Sequence, residues 1–113
     1  MLFYRVCNTG SQQGLWYDFD GNFTGNIHTQ YNFCTHTNLL MDYDPKIVGW
    51  LSAAQSFDQL LQWFPLKDII KLQKDGYCVH IYDCDVPKFY EKFEHPIIAH
   101  DKITLVNKMI LSY

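Results

Sequence analysis

Ile47-Val48-Gly49-Trp50-Leu51-Ser52-Ala53-Ala54-Gln55-Ser56-Phe57-Asp58-Gln59-Leu60-Leu61-Gln62-Trp63-Phe64 is the stretch on which the fold turns. Ile47 to Leu51 is apolar and partly β-branched, and Asp44-Pro45 before it marks a turn, so a buried strand is predicted. Ser52 stands at the end of that strand as a candidate hydroxyl. Ser56 followed three residues later by Gln59 has the form of a capping box, in which side chains satisfy free backbone N–H groups at a helix start. A helix is therefore predicted from Ser56. Phe57, Leu60, Leu61 and Phe64 recur at i, i+3, i+4 and i+7 and line one face toward a core.

Working outward, Pro65 ends this helix and opens a second one, with Leu66, Ile69, Ile70 and Leu72 apolar and Gly76 placed for a left-handed C-terminal residue. Tyr77 to Tyr82 reads as a strand, Val86-Pro87 breaks it, and Phe89 to Phe93 fits neither period cleanly. Ile97-Ile98 and Ile103 to Leu111 predict two further strands. On the N-terminal side, Leu2 to Cys7 has the period of a strand covered on both faces, which puts the charge of Arg5 inside an apolar segment. Gly14 to Tyr17 and Phe23 to Ile27 read as short strands around the Asp20-Gly21 turn. His28 to Asp44 is polar and aperiodic, the pattern of a long surface loop. Strands at both ends with helices between them predict one small α+β domain over residues 1–113, with a mixed or antiparallel sheet and two short central helices.

A chain of 113 residues with 48% hydrophobic and 17% aromatic content has the material for one real core and is unlike the charge-rich composition of disordered segments. Its net charge of -3 and nine scattered Lys and Arg argue against general binding to a phosphate backbone. No segment approaches the length of a membrane span, and the start lacks the basic and apolar regions of a signal peptide. A cytoplasmic protein with reduced Cys7, Cys34, Cys78 and Cys84 is the expectation.

Phosphate-cradling glycine loops, nucleophile elbows and zincin helices are missing from the sequence, which removes several large enzyme classes. Cys34 and His36 with His28 nearby lack the tight repeated spacing of a structural metal site, so no metal ligands are assigned. Cys78, His80 and Tyr82 share one strand face, where a thiolate–imidazole pair competes with ordinary packing of a hydrogen-bonded histidine. Asp42, Asp44, Asp83 and Asp85 form two Asp-x-Asp pairs without the glycine and distal Glu of a calcium loop, and turn formation explains them. Trp16, Tyr17, Trp50 and Trp63 are able to stack on a ring, although aromatics at these periods usually serve the core. Arg5 cannot lose its proton and must find a carboxylate, carbonyl or anionic ligand.

An early strand with Arg5, a strand-end Ser52 before a helix and Glu94 near a late strand resemble, in order, the parts of the ADP-ribosyltransferase fold. Tyr4-Arg5-Val6, Gly49-Trp50-Leu51-Ser52 with the Phe57 to Phe64 helix, and Glu94-His95-Pro96-Ile97-Ile98 carry the likeness across most of the chain. The resemblance implies NAD as cofactor, Arg5, Tyr17, Trp50 and Ser52 around it, and Arg5, Ser52 and Glu94 in the catalytic roles. Two departures stand against catalysis. Pro96 occupies the place of the family's catalytic Glu, where a proline ends pairing or redirects the strand, and Ala53-Ala54 replaces a more hydroxyl-rich segment. The Tyr4-Arg5 start, the Ser56-x-x-x-Leu60-x-x-Trp63-Phe64 helix and the Gly76-Tyr77 strand are also similar to small uncharacterised phage proteins. Together these resemblances imply a phage-type accessory protein in the host cytoplasm that needs no cofactor and uses a repurposed scaffold to bind and inhibit a host protein such as a defence component. The alternative they imply is an NAD-dependent transferase that modifies a host protein or nucleic acid.

Overall fold

The computed structural model describes residues 1–14, 19–20, 48–90 and 95–112. Its elements are β1 (Leu2–Asn8), β2 (Trp50–Ser52), α1 (Phe57–Trp63), α2 (Leu66–Lys74), β3 (Tyr77–Asp83), β4 (Lys88–Tyr90), β5 (His95–Ala99) and β6 (Thr104–Met109). Among the described residues the strands form two three-stranded sheets, ordered β1-β3-β6 and β2-β5-β4, and every pairing is antiparallel. The α+β class and the two central helices agree with the sequence. The single sheet resolves into two.

Alternation along β1 and β3 explains the layering. Val6 and Val79 point to one face, where Leu60, Trp63, Phe64, Ile69 and Leu72 from the helical region form a core with them. Phe3, Cys7 and Tyr82 point to the other face and pack with Leu51 of β2 and Ile98 of β5. The β1-β3-β6 sheet thus lies between the helices and the second sheet. Burying each large side chain in such a core contributes about 1.5–3 kcal/mol relative to leaving it exposed.

The two sheets meet at Ala54. Its N–H donates to the Tyr4 carbonyl at 2.8 Å and its carbonyl accepts from the Tyr4 N–H at 2.9 Å, while the Ala53 N–H donates to the Pro96 carbonyl at 3.1 Å. Ala53 and Ala54 are fully buried. Methyl side chains fit this crossing, and a hydroxyl at either place would be taken out of water.

The deciding stretch departs from its expected form in two details. Only Trp50–Ser52 is strand, because Gly49 takes φ +85° in the turn before it and an extended strand cannot pass through that backbone. Ile47 lies outside the described residues. At the helix, Ser56 is the N-cap and its Oγ accepts from the Gln59 N–H at 3.1 Å, whereas Gln59 Oε1 reaches back one residue further than expected and accepts from the Gln55 N–H at 2.8 Å. Pro65 is the N-cap of α2, and Gly76 has the positive φ, +94°, that ends it.

Pro96 does not end pairing. It lies inside β5 opposite Phe89, which makes Lys88–Tyr90 a short edge strand, and its carbonyl serves Ala53 on the other side. A proline lacks only the donor, so it fits a ladder position where its acceptor is the group in use. At the opposite end, Gln73 on α2 binds Leu111 as a strand would: its Nε2 donates to the Leu111 carbonyl at 2.9 Å and its Oε1 accepts from the Leu111 N–H at 2.7 Å.

Candidate functional site

Arg5 and Ser52 are brought together. The Arg5 side chain, 8% exposed, extends from β1 toward the second sheet, and its Nη1 donates to the Ser52 carbonyl at 2.7 Å. The contact uses the backbone of Ser52, so the hydroxyl singled out in the sequence is not the group that Arg5 holds. A buried guanidinium donating to a carbonyl rather than a carboxylate keeps its full positive charge in the core.

Trp50 stands on the same side of β2 as Ser52, because Leu51 between them points inward. Lys88 Nζ lies 4.6 Å from the Trp50 ring centroid, a cation–π contact across the second sheet. Glu94 and Tyr17 lie outside the described residues, as do Trp16, His28, Cys34, His36, Asp42, Asp44, the predicted Phe23–Ile27 strand and the long polar loop. Of the catalytic set read from the sequence, the described residues therefore place two members, Arg5 and Ser52, side by side.

The strand register adds residues that the sequence did not connect. Arg5 is the register partner of His80, and Cys7 is the partner of Cys78. Partners across an antiparallel ladder share a face, so Arg5, Cys7, Cys78, His80 and Tyr82 form one polar patch between the two sheets. His80 Nδ1 lies 3.0 Å from the Cys78 carbonyl. A carbonyl can only accept, so Nδ1 carries the proton and Nε2 is the bare nitrogen. Cys78 Sγ is 3.7 Å from the same Nδ1, which is already protonated and cannot take the thiol proton. The thiolate–imidazole pair is not set up.

Tyr82 Oη donates to Gln12 Oε1 at 2.8 Å and lies 3.7 Å from Cys7 Sγ. Gln12 has φ +62°, an uncommon backbone for a residue with a side chain, and its N–H donates to the Asn8 carbonyl at 2.9 Å. Asn8 Oδ1 accepts from the N–H groups of Gly10 and Ser11, both at 2.9 Å, which tightens the turn that delivers Gln12 to Tyr82.

Burial is the dominant electrostatic influence in this patch. It pushes the Cys7 thiol up, against the opposing effects of Arg5 and the Tyr82 hydrogen bond. It also raises Tyr82, with Cys7 adding to the shift. It lowers His80; the Cys78 carbonyl opposes that shift, and the positive charges of Lys108 and Arg5 reinforce it. Neutral thiol, phenol and imidazole groups thus surround one fixed cation. Arg5 Nε and His80 Nε2 are buried with no hydrogen-bond partner among the described residues. One is a donor and the other an acceptor, and an unsatisfied buried group costs about 1–3 kcal/mol.

Elsewhere the Asp-x-Asp residue Asp83 accepts from the Met1 amino group at 2.8 Å, an ion pair that raises the amino group above its ordinary value. Cys7, Cys78 and Cys84 are buried free thiols. Among the described residues no three His, Cys, Asp or Glu side chains gather as a metal site, and no helix is long and apolar enough to cross a membrane.

No family model, curated protein or solved structure matches this chain. The likeness to ADP-ribosyltransferases therefore rests on the residues already named.

Proposed function

We propose that the chain is a small phage-type accessory protein that binds and inhibits a host protein, such as a defence component, on a repurposed ADP-ribosyltransferase-like scaffold. The observation that carries this reading is the exposure of large apolar side chains around the short edge strand β4: Phe89 is 58% exposed and Val86 57%. Phe89 shares its side of the second sheet with its register partner Pro96, which is buried, so the ring extends a core-facing row to the outer strand of the sheet formed by the described residues. Aromatic side chains in this position are the usual anchors of protein interfaces.

Among the described residues, the outer strands β4 and β6 are guarded. β4 has three residues and follows Pro87, while β6 carries Lys108 and is interrupted by a bulge at Val106 between the Ile81–Asn107 and Tyr82–Leu105 pairs. Such features oppose strand addition. The proposed contact is accordingly made by side chains docking into a pocket of the partner. Retention of a stoichiometric host protein by the wild type and its loss in Phe89→Asp tests this.

The nearness of Arg5 to Ser52, with Arg5 Nε left without a partner among the described residues, supports a second reading, an NAD-dependent ADP-ribosyltransferase in which Arg5 holds phosphate or ribose, Ser52 supports the nicotinamide side, Tyr17 or Trp50 stacks and Glu94 takes the acidic role. Labelled NAD incubated with host lysate gives transfer that Arg5→Ala and Glu94→Gln both reduce under this reading. Failure to bind NAD at millimolar concentration overturns it.

A further inference from the structure

We infer that Cys7 and Cys78 form a reversible redox lock across the β1–β3 seam, closed by a small peroxide and opened by thiols. The two residues are direct register partners. The flanking bonds from the Thr9 N–H to the Gly76 carbonyl and from the Cys84 N–H to the Met1 carbonyl, both 2.9 Å, belong to the same ladder two and six positions along. Cys7–Cys78 is therefore a hydrogen-bonded pair, with Cα atoms about 5.5 Å apart, inside the range a disulfide spans. Both are free thiols, fully buried on the same face.

Each sulfur has a long, weak contact to give up, and Cys7 also gives up its interaction with the Arg5 guanidinium. Cys7 Sγ faces Tyr82 Oη and Cys78 Sγ faces His80 Nδ1, each at 3.7 Å. Tyr82 keeps its bond to Gln12 and His80 keeps its bond to the Cys78 carbonyl if the sulfurs turn toward one another. The oxidant must be small, because the thiols are reached only when the seam opens locally. With hydrogen peroxide, a thiol exposed by that opening gives its proton to water, the thiolate attacks an oxygen, the O–O bond breaks, and the released hydroxide takes up the proton, leaving water and a sulfenic acid. The second sulfur then displaces the sulfenic oxygen, which leaves as a second water with the second thiol proton. Two thiols are oxidised and one peroxide is reduced. Side chains at hydrogen-bonded pairs diverge, so the bridge is strained and readily reduced by thiols.

The test uses the full chain and a Cys34→Ser/Cys84→Ser variant in which only this pair remains. After treatment with hydrogen peroxide, alkylation under denaturing conditions and peptide mapping, the expected product has lost two hydrogens, links the Cys7 peptide to the Cys78 peptide and is restored by dithiothreitol. Cys78→Ala, which removes the sulfur without burying a hydroxyl, should remove the link. A folded protein whose two thiols remain alkylatable, stop at sulfinic acid or join other partners overturns the proposal.

Discussion

Arg5 and Ser52, forty-seven residues apart in the chain, are joined by a 2.7 Å hydrogen bond from the guanidinium Nη1 to the backbone carbonyl. The bond ties the first strand of one sheet to the last residue of β2 in the other, beside the Tyr4–Ala54 crossing. The same two residues that suggest a nucleotide site thereby act as a joint between layers.

Replacing Arg5 should expose that structural role. Arg5→Ala removes the donor to Ser52 and leaves a void between the sheets, and an expected loss of about 2–4 kcal/mol follows from the broken charged hydrogen bond and the cavity. Arg5→Lys keeps the charge and most of the volume and should lose less. Urea unfolding midpoints with unchanged slopes measure both. Equal midpoints for Arg5→Ala and wild type would remove Arg5 from the joint.

Gly49 is constrained twice. Its φ is +85°, and a Cβ at this position would lie 3.1 Å from His100 Cδ2. Gly49→Ala should therefore destabilise the domain by about 1–2 kcal/mol from the left-handed backbone alone, with more from the crowding. Adding His100→Ala should relieve the crowding and leave the backbone cost, so partial rescue in thermal melts is the expected result.

His80 makes stability depend on pH. Its folded-state value lies below the ordinary 6.5 because burial disfavours the imidazolium, and Arg5 on β1 and Lys108 on β6 add positive charge beside it, while the Cys78 carbonyl on its own strand opposes the shift and Tyr82, raised by burial, faces it as a neutral phenol. As pH falls below 6.5 the unfolded chain binds a proton that the folded chain resists, so stability is present above that pH and is lost on acidification. His80→Gln should flatten this part of the profile between about pH 6.5 and pH 5. Denaturant midpoints across that range provide the check, and a slope unchanged by the substitution would assign the acid sensitivity elsewhere.

Much of this architecture was legible where one local rule dominates. The Ser56 cap, the break at Pro65, the Gly76 terminus and the alternation from Tyr77 each depend on a few neighbouring residues, and the helices and β3 follow them closely. Pro96 misled because the sequence reveals its missing N–H but not that its carbonyl is the group the neighbouring strand needs. Gly49 looked like one apolar-strand residue among others until its positive φ placed it in a turn. The patch around Arg5 was half visible: Cys78, His80 and Tyr82 share a face by simple alternation, but their pairing with Cys7 and Arg5 depends on a register set by residues more than seventy positions away. Gln12 carried no signal, since its role arises from a turn that brings an unremarkable amide onto a buried phenol.

The central claim is that the chain acts by docking exposed apolar side chains into a host protein. The most direct measurement is affinity capture from host lysate with wild type, Phe89→Asp and Glu94→Gln in parallel, after circular dichroism establishes that all three fold alike. The account predicts one host protein retained in stoichiometric amount by wild type and Glu94→Gln and lost, by at least about tenfold, from Phe89→Asp, as befits an aromatic anchor worth 1.4 kcal/mol or more. Absence of any stoichiometric partner for the wild type, or equal retention by Phe89→Asp, would contradict it.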